Sequence, residues 1–429
     1  MKQFNLLIIL IFNLLIENSS AQTSLWIQQT NPVSGRDLNS AWAVDYNTCW
    51  MCGATSSNTL GYVIRTTNAG LSWTNVTGNM PSSPIGLYSI CGVSANEAWV
   101  GADDGSVFHT TNGGTNWNFV ILPSPLTPFI DVIHFFNQNT GFILGDPVAA
   151  QWFYYWTTNA GTNWASISVP QGENAAGWNN SFYALDTGHI WFGSNTSYIF
   201  KGGFRSGFVS YPSVGFNSRG IAFVNSNTGV AIMSNTSVMP NNITSNGGIN
   251  WTAGYTPPGV QIGITCIPGY PYMWSCGSGV TGGVILYSTN NGVNWTIQNS
   301  MSVAGYCITF ANSSRGWVGC SSGLIYRTLG PDDLNNIITT LPSSYVLKQN
   351  YPNPFNPNTV ISYSLLVNSH VQLKVFDIMG KEIATLADEF QNAGTYKVQF
   401  SNNRLSSGIY FYKIFAGDFV DVKKMMLLK

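Results

Sequence analysis

Between residues 22 and 330, apolar positions come in short alternating runs, broken every few residues by Asn, Gly, Ser or Thr. Such runs predict many short strands joined by tight turns. A longer period is superimposed on them. The strings TTNAGLSW, TTNGGTNW, TTNAGTNW, TSNGGINW and STNNGVNW end at Trp73, Trp117, Trp164, Trp251 and Trp295, the first two 44 residues apart. One gap spans two periods, and a worn copy starting at Lys201 fills it, with Phe208 in place of Trp. A second signal, an aromatic or apolar residue followed closely by a small one, recurs at Trp50, Trp99, Phe142, Trp191, Val230, Trp274 and Trp317. That makes seven units, one more than the turns. The seventh lacks a last strand, and the strand around Trp26 at the other end of the mature chain supplies one.

Each unit holds about four short strands, too few to bury its own faces, so neighbours must stack. Closure by Trp26 leaves no open unit and only short edges. The pattern predicts a seven-bladed β-propeller over 22–330. In its turns, Asn is expected to tolerate unusual backbone angles and to bond its own backbone, Gly to take positive φ, and Trp to pack between adjacent sheets.

Beyond 345 the period changes. Strands are predicted over 360–365, 371–376, 394–400 and 408–414, with a polar turn at 377–381 and a last apolar strand ending at Lys429. These form a small Ig-like antiparallel β-sandwich over 345–429, and 331–344 reads as a linker. The chain is all-β. Charge marks the same boundary, since Lys occurs once between 22 and 341, at Lys201, and eight times after it.

Only 8% of residues are charged and the net charge is −1, so no basic field exists to hold a phosphate backbone, and nucleic acid is excluded as a partner. At the N-terminus, Lys2, the apolar run 4–16 and Ser19-Ser20-Ala21 read as a signal peptide over 1–21, cut before Gln22; a retained N-terminal anchor is the rival reading. No other stretch has the roughly 20 apolar residues of a membrane-spanning helix, so no transmembrane segment is expected after cleavage.

The Trp-ending turns resemble Asp-box repeats with Asn at the Asp position: Asn68, Asn112, Asn159, Asn246 and Asn290. Taken with the paired Gly-Trp-Val-Gly-like strands, residues 24–330 look most like the propellers of the photosystem II assembly/stability factor family. The C-terminal segment opens with Asn350-Tyr351-Pro352-Asn353-Pro354-Phe355-Asn356-Pro357. VFDIMGKEI, the Gly394 strand, SSGIYFYKI with Gly408 and Tyr410, and KKMMLLK ending at Lys429 follow in order. It resembles the type A sorting domain of the type IX secretion system. That resemblance implies export through the periplasm of a Gram-negative bacterium and recognition by the type IX machinery at the outer membrane. Removal of the domain and a secreted or outer-surface location would follow. An ordinary Ig-like module that binds carbohydrate or packs on the propeller is the alternative.

Candidate chemistry is sparse. Asp-box propellers include sialidases, which need three arginines, a Tyr nucleophile with a Glu partner and an Asp acid/base. Arg36, Arg65, Arg205, Arg219, Arg315 and Arg327 lack the F/Y-R-I-P context, and the only propeller glutamates are Glu97 and Glu173. A sialidase-like hydrolase is therefore only the alternative function, drawing on Asp131, Asp146 or Glu173. Asp103-Asp104-Gly105 reads as a turn. Asp131 and His134 have no cluster around them, and the histidines are scattered, so neither a metal nor a cofactor is expected. Cys266 with Cys276, and Cys307 with Cys320, sit on opposite arms of predicted hairpins as candidate bridges; the other cysteines read as small buried side chains. The stronger lead is aromatic display. Asp146 in a loop, Trp152, Tyr154 and Trp156 in one strand, and Tyr255, Tyr270 and Tyr272 in Pro-rich loops are the candidate ligand-facing residues. The function read from all this is a non-catalytic platform for an unknown extracellular protein or glycan.

Overall fold

Because apolar runs here are short and each junction carries a turn former, every unit folds as a four-stranded antiparallel meander. The computed structural model describes residues 26–429 apart from 34, 56–59, 82–84, 125–126, 170–174, 234–237, 330–343, 368, 392–393 and 403–404. The predicted signal peptide 1–21, nearly all of the 331–344 linker and Glu173 lie outside the described residues. The chain divides into two units, 1–329 and 330–429.

In the first unit, blade 1 comprises Asp37–Ala43, Cys49–Ala54, Tyr62–Thr66 and Thr74–Asn75, counted from the axis outward. Five more four-stranded sheets follow in chain order. Blade 7 takes Gly305–Asn312, Arg315–Cys320 and Ile325–Thr328 from the end of the propeller and Trp26–Gln29 from its start. Trp26 pairs with Thr328 and Gln29 with Ile325. Trp26 is buried, and its Nε1 donates to Gln298 Oε1 of blade 6 at 2.8 Å. The ring closes as the repeat count predicts. Since strands reverse direction in turn, the first-to-second and third-to-fourth connections share one face, here the turn face. The second-to-third and blade-to-blade connections share the other, the crossover face.

The Trp-ending turns realise one of the two roles expected of their Asn. Asn68 does not take the left-handed conformation; Ala69 (φ 59°) and Gly70 (φ 82°) do. Asn68 acts through its side chain instead: Oδ1 accepts from Thr66 Oγ1 at 3.0 Å and from the Ser72 N–H at 3.0 Å, while Thr66 Oγ1 accepts from the Gly70 N–H at 2.9 Å. The same bonds recur around Asn112, Asn159, Asn246 and Asn290. Gly161 meets two demands at once. Its φ is 75°, and a Cβ there would stand 2.5 Å from the Trp99 ring of the preceding blade. Trp99 also meets Trp164 edge to face at 6.1 Å, as Trp50 meets Trp117 at 6.2 Å. In blade 4 a tight turn after Gly203 replaces this motif. Phe204 is the buried ring there, edge-on to Trp156, and Phe208 is only half-buried against Tyr154.

The candidate disulfides are absent for a reason of register. Cys276 faces Gly263 and Cys266 faces Met273; Cys307 faces Gly319 and Cys320 faces Gly305. All seven cysteines are free and buried.

The second unit is a sandwich. Val346–Leu347, Asn358–Leu365 and Gly394–Ser401 form one sheet; Glu382–Gln391, Ser369–Phe376, Gly408–Ala416 and Phe419–Leu427 form the other. Ile361, Leu373, Val375, Tyr412, Ile414 and Leu427 fill the core between them. Asp377 Oδ1 accepts from the Met379 and Lys381 N–H groups, making the predicted turn.

Candidate functional site

The innermost strand of each blade begins with a residue that leaves the ladder. Register slips by one at Asn39, Tyr88, Asp131, Arg219, Ile262 and Tyr306 in blades 1, 2, 3, 5, 6 and 7. In blade 4 Asn180, with φ 62°, holds the equivalent place, three residues before Tyr183, which faces Trp191 as Trp42 faces Trp50. A bulge re-aims its side chain. The repeat thus sets seven residues of five kinds around the axis at the crossover face.

Half of this ring is closed. Asn180 reaches across the axis: its Nδ2 donates to the backbone carbonyls of Asn39 (3.0 Å) and Tyr88 (3.1 Å), and its Oδ1 accepts from Ser40 Oγ at 2.8 Å. Its own N–H donates to the Asp131 carbonyl at 3.0 Å. Tyr88 packs on Phe129 with ring centres 4.6 Å apart. Asp131 lies buried beneath Gly177, where any Cβ would strike its carboxylate. Burial, reinforced by the neighbouring Asp146, pushes the Asp131 carboxyl well above the usual carboxylate range. Burial raises Asp146 too, opposed by the Gly177 N–H that donates to its Oδ1 at 2.7 Å. Below Asn180 the channel is a cavity of about 300 Å³ whose walls include Ala41, Trp42, His134, Phe182, Ile264 and Phe310.

The other half is open. Asn39, Trp178, Asn179, Arg219, Ile262 and Tyr306 line a mouth of about 320 Å³. The Arg219 guanidinium sits 3.9 Å from the Trp178 ring centre, a cation–π stack. Its Nε and the Trp178 Nε1 are buried without a hydrogen-bond partner. Burial lowers the Arg219 pKa but does not neutralise a guanidinium.

The residues singled out from sequence divide. Trp152 and Tyr154 are not ligand-facing: both are buried between blades 3 and 4, Trp152 against Phe192 and Phe200, and Tyr154 with its hydroxyl on the Phe204 carbonyl at 3.0 Å. A strand wedged between two sheets buries both of its faces. Trp156 is half-buried under the Arg205 guanidinium, 4.3 Å from its ring centre. Tyr255 follows the last strand of blade 5 and so lies on the crossover face, half-buried. Tyr270 and Tyr272 belong to a first-to-second connection, on the turn face, where Tyr270 is 57% exposed and stacks on Tyr272 at 6.1 Å. The predicted aromatic surface is therefore split between opposite faces. Asp131 and His134 stay apart on one strand, Asp131 under Gly177 and His134 among Trp42, Phe136, Phe142 and Phe182. Arg219 and Trp178 were not singled out as ligand-facing. Superposing the repeats on their second-strand aromatic or apolar residue sets Asn, Tyr, Asp, Asn, Arg and Tyr in one column eleven residues before it; only in blade 6 is the bulged residue, Ile262, one position further back.

In the sandwich, the sorting motif is a brace with an exposed centre. Asn350 and Phe355 are buried; Tyr351, Pro352, Asn353 and Pro354 are exposed. Asn350 Nδ2 donates to Thr359 Oγ1 and to the Pro352 carbonyl, and the Asn350 N–H donates to the Tyr412 hydroxyl at 2.8 Å. Asn353 Oδ1 and the Phe355 backbone clamp the last strand through Met426 and Leu428. Tyr410, buried, donates to the Ser406 carbonyl, and the Lys429 N–H donates to Ser407 Oγ. Gly394 and Gly408 open two of the strands.

Comparison with known proteins agrees with both halves. No curated protein matches the chain in sequence. YCF48 bound to D1 peptide superposes with a TM-score of 0.56 at 16% identity, over 72% of this chain and 98% of that one. YCF48 from Cyanidioschyzon merolae gives 0.55 at 17%, over 72% and 99%. PorZ, a surface component of the type-IX secretion system of Porphyromonas gingivalis, gives 0.51 at 14%, over 94% of this chain and 61% of its own. These likenesses establish the fold. The family of secretion system C-terminal sorting domains matches residues 349–428. The chain thus joins a seven-bladed β-propeller to a type IX secretion sorting domain that directs it to the cell surface or beyond.

Proposed function

We propose that the propeller is a non-catalytic binding platform for an extracellular glycan or protein, with the crossover-face mouth as its binding site. The N-terminal signal delivers it to the periplasm and the sorting domain takes it across the outer membrane. The observation that carries this reading is the open half of the axial ring, where the Arg219 guanidinium, stacked on Trp178, borders the cavity with Asn179 and Tyr306. A site with unspent polar groups on a rigid scaffold, beside an aromatic ring, is built to orient a ligand. That a propeller of this fold, YCF48, holds a peptide supports binding as a use of the architecture.

The disposition of acid groups supports a non-catalytic role. Asp131 is sealed under Gly177 and Asp146 accepts a backbone N–H. The arginines of a carboxylate clamp are dispersed: Arg65 bonds the Ala95 carbonyl, Arg315 the Thr328 carbonyl and Tyr46, and Arg205 covers Trp156. The test is a panel of immobilised polysaccharides and surface proteins, scored for retention and for released sugar. Retention without release, lost in Asn179→Trp, is the expected result. Released sugar overturns the reading in favour of a glycoside hydrolase.

A further inference from the structure

We infer that the axial mouth selects an acidic saccharide, with the carboxylate of a uronic acid residue taken by Arg219. This rests on the platform reading above and narrows it. Four observations carry it. Arg219 is a half-buried cation on the axis of a ring poor in charge, and no carboxylate pairs with it among the described residues. The acid groups nearby are committed elsewhere: Asp131 lies under Gly177, Asp146 accepts the Gly177 N–H, and Asp37, beside Tyr306, accepts the Ser322 N–H at 2.8 Å. A desolvated guanidinium without a counter-charge is costly, and a ligand carboxylate repays that cost through charge-assisted hydrogen bonds. The Trp178 ring under Arg219 fixes the plane of the fork, so its remaining N–H groups point to one place.

Size and polarity favour a saccharide over a peptide. The mouth, about 320 Å³, is at the small end of ligand sites. Asn39 uses its amide Nδ2 on the Leu87 carbonyl, leaving Oδ1, and Asn179 and Tyr306 add further polar groups at fixed positions suited to separate hydroxyls. A peptide strand needs a free sheet edge. The outermost strands of blades 1, 2, 3 and 5 are two residues long, and the longer ones of blades 4 and 6, Gly207–Pro212 and Thr296–Met301, lie at the rim and not among the residues that line the mouth.

The test titrates the full mature protein with trigalacturonate, with its carboxyl-reduced counterpart and with a short peptide bearing a free C-terminal carboxylate. Wild type, Arg219→Gln, Arg219→Lys and Asn179→Trp are compared after their melting curves confirm folding. Trigalacturonate is expected to bind about tenfold or more tightly than the reduced sugar, the worth of one charge-assisted hydrogen bond. Arg219→Gln should erase that preference, Arg219→Lys should keep part of it, and added salt should weaken it. Equal binding of the two sugars, unchanged in Arg219→Gln but lost in Asn179→Trp, overturns the acidic assignment and leaves the platform standing. Arg219-dependent capture of the peptide alone overturns the saccharide. Failure of trigalacturonate to bind overturns the inference, and the wider panel then decides the platform separately.

Discussion

His134 occupies an aromatic box, its ring 5.3 Å from Trp42 and 4.6 Å from Phe136, and neither ring nitrogen has a hydrogen-bond partner. Burial pulls its pKa from 6.5 down to about 3. The folded protein keeps the imidazole neutral where the unfolded chain protonates it, so the unfolded state binds more protons between pH 6.5 and 3. Stability is therefore full above pH 6.5 and falls as pH drops through that window, by about 1.4 kcal/mol per unit from this group. Asp131 acts with the opposite sign: its raised pKa favours the folded state at low pH and withdraws that support as pH rises above the ordinary carboxylate value. In denaturant titrations, His134→Phe should flatten the acid limb and leave stability near pH 8 almost unchanged. An acid limb as steep as that of wild type would show that His134 is not the group responsible.

At the scale of elements, two devices hold the ring. One is the closing strand Trp26–Gln29, which joins chain segments nearly 300 residues apart. Trp26 buries its ring against Phe310, edge to face at 5.7 Å, besides its hydrogen bond to Gln298. Trp26→Ala should cost about 3–5 kcal/mol, read as a drop in the denaturant midpoint, and should increase proteolysis within blade 7 before any other blade. A uniform loss across blades would instead mean that the ring opens as one unit. The other device is the segment 175–181. Through Asn180 and Ser181 it bonds to the inner strands of blades 1, 2, 3 and 5. This segment, turned by one residue in the left-handed conformation, thus ties four inner strands together at the axis, beside both the cavity and the mouth.

For the whole molecule, the sorting domain decides the address and the propeller the task. Within the sandwich, the motif around Asn350 and Phe355 ties the start of the domain to its last strand, so both ends of the sequence signature are needed to present one exposed Tyr351-Pro352-Asn353-Pro354 segment. Removing residues 349–428 should leave the protein in the periplasm, with almost none on the surface or in the medium, as shown by fractionation and blotting against the propeller. Surface delivery without the domain would place the export signal elsewhere.

Blade number, ring closure and the sorting domain were legible in the sequence because each rests on a pattern local to a few residues and then repeated. A Trp-ending turn is written by neighbouring side chains hydrogen-bonding their own backbone, and the same local rule applied five times declares the fold. The burial of Trp152 and Tyr154 was not legible, since alternation states that a strand has two faces and not that a neighbouring blade covers each of them. Nor was the failed pairing of Cys266 with Cys276, which depends on where the hairpin reverses: Cys266 faces Met273, three rungs from Cys276. The axial site depends on the bulge of the innermost strand: Asn39, Asn180, Arg219 and Tyr306 lie far apart along the chain, and only ring closure turns their shared place in the repeat into shared space. Local backbone chemistry therefore determined the architecture and the address, while the convergence of unlike side chains on one axis, a property of the closed ring and of no single blade, was decided by tertiary structure.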